Sequence, residues 1–336
     1  MRAGRTPKAV ITGVAGIALA LTVAGCGSGS KPGGSAPTST AGDTTSSASS
    51  SAPASSSSSS SASASSSSPA AAGGVDSSAA ALVPAAIKSK GTLAIATDPS
   101  YPPNESKDAN GKIVGWDIDL GNAIAAKLGL KADFQEAKFD DIVTGISTGK
   151  YDAGMSSITD NKTREGVDDF VTYFNAGTKL MVLKGNPEKL TGNGPTDLSL
   201  CGLTVGVEKG TVQETDDIPN RNKACKAAGK KEIKTLSQDT QDQINESLGA
   251  NRCDAVLADS PVVDYYAKSG NFDAVGDIYA GAPYGIAIAK TNNGLSQAVQ
   301  AALKDLVADG TYHQLTTKYG IQSGDQTNPG LNQAQS

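Results

Sequence analysis

Histidine is almost absent: His313 is the single one in 336 residues, and aromatic side chains make up only 4% of the chain. Zinc centres and His-based acid–base sites therefore lack raw material, and neither a metal nor a cofactor is expected. His313 itself is expected on the surface. Positive charge is also short. Lys and Arg number 29 against 34 Asp and Glu, a formal net charge of −5. Removing Arg2, Arg5 and Lys8 would take it to −8. Binding to nucleic acid needs a basic footprint, so no nucleic-acid partner is expected. Long apolar runs are missing too: residues 10–23 fall short of the ~20 that a spanning helix needs, and no later run approaches that length. Large apolar side chains nearly vanish between residues 27 and 80, where Ser, Ala, Gly, Pro and Thr dominate. Such a stretch buries too little surface to offset the entropy of ordering it, so residues 26–80 are expected to form a disordered linker.

What is present begins with a processing signal. Arg2, Arg5 and Lys8 form a positive n-region, residues 10–23 an apolar h-region, and Val23-Ala24-Gly25 a small-residue approach to Cys26. This is signal-peptide anatomy over residues 1–25. Val-Ala-Gly-Cys resembles the bacterial lipobox, which implies that Cys26 carries the lipid and anchors the chain to the outer face of the cell membrane. A linker of about 55 residues would then reach roughly 40 Å from that anchor.

From Gly91 onward short apolar runs alternate with helical patterns, the signature of βαβ units and parallel sheets. Residues 92–97 (TLAIAT) read as a buried strand, 119–128 and 141–148 as helices, and 152–156 as a strand. A helix is expected to open near Asp160, capped by Thr159 or Asp160. The pattern restarts with strands at 203–207, 232–236 and 254–258 and helices at 241–250 and 261–268. It closes with helices at 295–308 and 312–319. Two α/β units, the second inserted into the first, would leave a cleft between them, a preferred place for a ligand.

Six runs then occur in order: ATDPSYPPNES, GWDIDLGNAIAAKLG, FDDIVTGISTGKYDAGMSSIT, VGVEKGTVQE, CDAVLADS and DGTYHQLTTKYG. Together they resemble the amino-acid-binding proteins of ABC importers (extracellular solute-binding family 3, type II periplasmic-binding fold). The resemblance implies one lobe at 91–175 plus 283–325, a second at 176–282, two hinge crossings near Asn175 and Pro283, and a tail at 326–336. It also implies that a free amino acid is captured by hinge closure, and that a monomer presents it to a membrane permease.

The resemblance further assigns site residues. Arg164 matches the arginine that pairs with the ligand α-carboxylate, assisted by the hydroxyl at Thr159. Asp259 matches the ammonium-binding aspartate and Ser157 its helper. Thr211 and Val212 match the segment that closes on the carboxylate from the second lobe. A zwitterion needs such opposite partners once it leaves water, and an Arg fork adds geometric selectivity. Asp259 in Asp-Ser-Pro could instead cap the next helix. Asp98, Tyr101, Phe139 and Glu208 match positions lining the side-chain pocket, with Glu105 nearby. That acidic set suits lysine, arginine, histidine or ornithine. Asn104-Glu105-Ser106 departs from the common Phe-Glu-Phe, and Trp116 stands where Phe is common, in the core or at the site. Relatives imply a Cys201–Cys225 disulfide, with Cys201–Cys253 as a rival. Two other functions stay open: a dehydratase using Glu105 or Glu208 as an acid, and a sensing lipoprotein acting through a separate partner.

Overall fold

The computed structural model describes residues 74–334. The signal peptide, Cys26 and most of the linker lie outside the described residues. The linker expectation ends too late, however, because helix α1 (Ser77–Leu82) is already formed. Asp76 caps it by accepting from the amides of Ser78 and Ala79, and Ala79 is fully buried. Helix α2 (Ala85–Lys90) follows and ends at Gly91, in the left-handed conformation that glycine adopts without strain.

The first lobe starts with β1 (Thr92–Thr97), whose nearly continuous apolar run suits a strand buried on both faces. A small antiparallel sheet of β2 (Ser100–Tyr101), β3 (Glu105–Lys107) and β4 (Ile113–Val114) leads into α3 (Trp116–Lys127). Then come β5 (Lys131–Glu136), α4 (Phe139–Ser147), β6 (Ala153–Gly154) and the single turn α5 (Lys162–Glu165). Strand β7 (Asp168–Leu183) crosses into the second lobe. There β8 (Thr204–Glu208), a π-helical stretch (Gln213–Asp217), α6 (Ile218–Ala227) and β9 (Lys234–Gln238) are followed by α7 (Gln241–Gly249), β10 (Ala255–Asp259) and α8 (Ser260–Ala267). Strand β11 (Phe272–Ala289) crosses back, and α9 (Asn293–Ala308) and α10 (Thr311–Tyr319) return to the first lobe.

The strands form one sheet in the order β5-β1-β6-β11-β7-β10-β8-β9. Its outer pairs are parallel, as helical crossovers require, and its centre is the antiparallel pair β7/β11. These long strands belong to both lobes. Their pairing runs from Phe272 opposite Leu183 to Ala289 opposite Asp168, with irregularities between Val275 and Gly285. Asn175 and Pro283 face each other there. Gly177 lies so close to the opposite strand that a Cβ would sit 2.6 Å from the Tyr279 carbonyl oxygen. The core divides accordingly. One cluster packs Trp116, Tyr173, Phe174, Tyr284 and Tyr312 with aliphatic residues of α3 and α9; another packs Val205, Val207, Ile218 and Leu257. Trp116 is wholly buried, with ring centroids 5.4 Å from Tyr173 and 5.0 Å from Phe174, which settles it as core packing.

Cys201 and Cys225 are bonded, tying the approach to β8 to α6 across 24 residues. Cys253 is buried and unbonded, with burial pushing its thiol up to about 11, so it stays an inert thiol. His313 is exposed and its Nδ1 lies 2.7 Å from an Asp325 carboxylate oxygen. Residues 325–334 are no loose tail: they run along β7, with bridges from Val171 to Leu331 and from Phe174 to Asp325.

Candidate functional site

A narrow cavity of about 10 Å³, room for little more than one water molecule, lies between the lobes. All ten sequence-assigned contacts line it: Asp98, Tyr101, Phe139, Ser157, Thr159, Arg164, Glu208, Thr211, Val212 and Asp259. Glu105, Ser156 and Gln213 complete the wall. The contributing segments are strand ends and the turns and helix starts that follow them, where a sheet presents side chains to a cleft.

Arg164 sits on α5, which is capped by Asn161, whose side chain accepts from the Arg164 amide at 2.8 Å; Thr159 and Asp160 do not cap it. A four-residue helix has almost no dipole of its own, so the anion-attracting group here is the guanidinium. Its Nη1 donates to the Thr159 carbonyl at 2.8 Å and its Nη2 to the Gly210 carbonyl at 3.0 Å, and it lies 5.5 Å from the Phe139 ring centroid. It makes no ion pair with any described carboxylate. Burial lowers its pKa to about 10, which leaves it charged at neutral pH. A desolvated guanidinium with neutral partners is a prepared anion site.

Asp259 occupies the N-cap position of α8, but its side chain makes no capping bond, which removes the capping explanation for that carboxylate. Its Oδ1 accepts from Gln213 Nε2 at 2.7 Å and its Oδ2 from the Tyr284 hydroxyl at 2.9 Å. The Asp259 amide donates to the Tyr101 hydroxyl at 2.9 Å, joining the lobes. Burial raises the Asp259 carboxyl, and the bonds from Tyr284 and Gln213 pull it back.

The remaining wall is acidic. Glu208 ends β8 at 2% exposure with Oε1 unpartnered, and burial holds its carboxyl well above the usual range, reinforced by the Asp98 and Asp259 charges. Burial also raises Asp98, to about 6; its Oδ2 accepts from the Phe139 amide at 3.2 Å. Glu105 accepts from Ser156 Oγ at 3.1 Å and from Ser157 Oγ at 3.3 Å, and is fully buried beside Asp117. Burial, and then the Asp117 charge, push the Glu105 carboxyl well above the usual carboxylate range. Asn104 donates to Ser157 Oγ at 2.8 Å. Ser157 has φ of 51°, an uncommon backbone for serine, fixed by its amide donating to Asp117 Oδ2 at 3.1 Å. Thr211 Oγ1 donates to the Glu208 carbonyl at 2.7 Å.

Contacts across the cleft ring this cavity. Lys138 pairs with Asp239 at 2.5 Å, and Lys209 with Asp140 at 2.7 Å, one cation from each side. Gly210 lies against Asp140 so closely that a Cβ would be 2.8 Å from that residue's Cβ. The Gln241 amide donates to Ser100 Oγ at 3.2 Å. The cleft is therefore shut. Sequence reasoning missed Gln213 and Ser156. Both stand inside the runs VGVEKGTVQE and MSSIT, but nothing in their types marks them apart from their neighbours.

The same residues place the chain among known proteins. Residues 93–322 match the family of bacterial extracellular solute-binding proteins, family 3. The chain belongs to that family. It is 37% identical over 246 residues to the arginine-binding protein ArgT of Corynebacterium glutamicum, covering 73% of this chain and 79% of that one. An ancestral arginine-binding protein, solved bound to arginine, matches with a TM-score of 0.61 and 36% identity over 68% of this chain and 98% of that one. The ancestral amino acid-binding protein AncCDT-1, a precursor of cyclohexadienyl dehydratase, matches with a TM-score of 0.63 and 33% identity, covering 70% and 97%. This family 3 protein thus has the two-lobed fold of amino-acid-binding proteins, with its cavity where the lobes meet.

Proposed function

We propose that this family 3 solute-binding protein captures a basic amino acid, with L-arginine the leading candidate, and delivers it to a membrane ABC permease. The observation that carries the reading is the charge pattern: one desolvated guanidinium, Arg164, faces four buried carboxyls, Asp98, Glu105, Glu208 and Asp259. Arg164 would take the α-carboxylate and Asp259 the α-ammonium. Glu208, with its unpartnered oxygen, and Asp98 would take a cationic side chain. Ser157, Thr159 and the segment at Thr211 and Val212 would complete the polar contacts, with Tyr101 and Phe139 as aromatic walls. Arginine-binding relatives support the choice of ligand.

The chain's own residues supply the mechanism. Since the guanidinium lies on one lobe and Asp259 on the other, a zwitterion touching both interacts more strongly with the shut cleft than with an open one. Its differential contacts drive closure. The solute leaves unchanged, because a site built to neutralise both ends of an amino acid favours the intact molecule over elimination. AncCDT-1 keeps the dehydratase alternative in view, and Glu105 or Glu208 is the buried acid it would use. Residues 1–26 support export and a lipid anchor at Cys26, with the Ser-rich linker as tether.

A thermal-shift panel of the common amino acids and ornithine tests the reading. Ligand at 100 times its Kd should add about 2.7 kcal/mol of stability. Arginine, lysine, ornithine or histidine should give the largest shift, and an acidic or apolar amino acid giving it would overturn the assignment.

A further inference from the structure

The turn that carries Arg164 is too short to hold itself. An isolated helical turn fixes several dihedrals for a single hydrogen bond and is unstable in water, so α5 must be held by its surroundings. Two of its restraints from outside its own turn come from the last described residues of the chain. The Gln333 amide donates to Asp160 Oδ2 at 2.8 Å, and the Ala334 amide donates to Glu165 Oε1 at 2.8 Å. Asp160 and Glu165 flank Arg164 on either side. Asp160 is 2% exposed, and its own amide donates to the Pro283 carbonyl at the hinge, at 2.8 Å.

This terminal segment is itself pinned to β7. The Thr172 amide donates to the Gly330 carbonyl at 2.9 Å and the Asn332 amide to the Phe170 carbonyl at 2.8 Å. The Phe170 amide donates to Asn332 Oδ1 at 2.8 Å, and Gln300 Nε2 donates to the Pro329 carbonyl at 3.1 Å. The strap therefore transfers the rigidity of the central sheet to both ends of a one-turn helix.

We propose that residues 329–334 are a positioning strap for the ligand-carboxylate site, holding Arg164 in register through Asp160 and Glu165. Neither acid lines the cavity. The proposal deepens the amino-acid-binding reading and rests on Arg164 being the carboxylate partner.

The test removes residues 329–336 from the otherwise full chain. L-arginine affinity is read by calorimetry, and amide exchange is followed over residues 159–166. Deletion should weaken L-arginine by about tenfold, the scale of one lost charge-assisted hydrogen bond. Exchange should quicken across residues 159–166 while β8 and β10 keep their protection. Asp160→Ala should reproduce both effects, and Asp160→Asn, which keeps an acceptor oxygen for the Gln333 amide, should restore most of the affinity. Glu165→Ala gives a second reading if Asp160→Ala does not fold. Unchanged affinity after deletion, or exchange rising equally in both lobes, overturns the strap. If the intact chain binds no basic amino acid, the ligand reading fails instead. Exchange over residues 159–166 then still decides whether the strap orders the turn.

Discussion

The two lobes are built from the same α/β alternation but are stabilised differently. The first buries an aromatic cluster of Trp116, Tyr173, Phe174, Tyr284 and Tyr312 under α3, α9 and α10, and has no disulfide. The second relies on small aliphatic residues, Val205, Val207 and Leu257 among them, and carries the Cys201–Cys225 bond. A smaller core buries less surface, and a covalent staple offsets that by restricting the unfolded chain. The lobes also differ in what they give the site. The first provides the cation and two acids, Arg164, Asp98 and Glu105; the second provides Asp259 and Glu208. Among the lining residues the second lobe offers no cation and the first lacks Asp259, so the proposed Arg164–Asp259 pairing needs both lobes.

The comparison breaks most completely at the two groups proposed to divide the ligand. Arg164→Ala and Asp259→Ala should each weaken L-arginine more than about 100-fold in calorimetry, since each leaves a buried ligand charge unpaired. Both variants should keep wild-type circular dichroism. The staple comes next. Cys225→Ser should cost about 3 kcal/mol in denaturant unfolding, with faster amide exchange confined to the second lobe.

Acidity separates the empty protein from the complex. Asp98 has its pKa raised from 3.8 to about 6 in the unliganded fold, so the folded state holds a proton that the unfolded chain has already lost. Its contribution to stability is present below about pH 4 and is lost as pH rises through about 6. A cationic side chain needs Asp98 ionised, so affinity for arginine should run the opposite way, falling as pH drops through about 6. Calorimetry from pH 4.5 to 8 checks this, and Asp98→Asn should flatten that limb. The smallest effect belongs to the mouth of the cleft. Lys138→Glu and Lys209→Glu should each weaken binding only slightly, an effect that salt removes. The swap Lys138→Asp with Asp239→Lys should recover it.

Much of this was legible in the chain itself. The strand at β1, the restart at β8 and the order of the six motifs carry the two-lobed fold, because buried parallel strands leave continuous apolar runs. The ten assigned site residues, which the structure gathers around one cavity, were legible through motif resemblance rather than periodicity. The cap at Asn161 was missed by one or two residues, since Thr159, Asp160 and Asn161 all suit that role. Helix α1 hid in the Ser/Ala background, where one Ala contact on α9 cannot be told from linker. The strap was illegible for another reason: its bonds come from backbone amides, which any residue but proline supplies.

The most direct test is a crystal structure of the complex with L-arginine. The account predicts the α-carboxylate within hydrogen-bonding distance of the Arg164 guanidinium, the α-ammonium against Asp259, and the side-chain guanidinium toward Glu208 and Asp98. An arginine bound outside this cavity, or seated with its α-carboxylate away from Arg164, would contradict it.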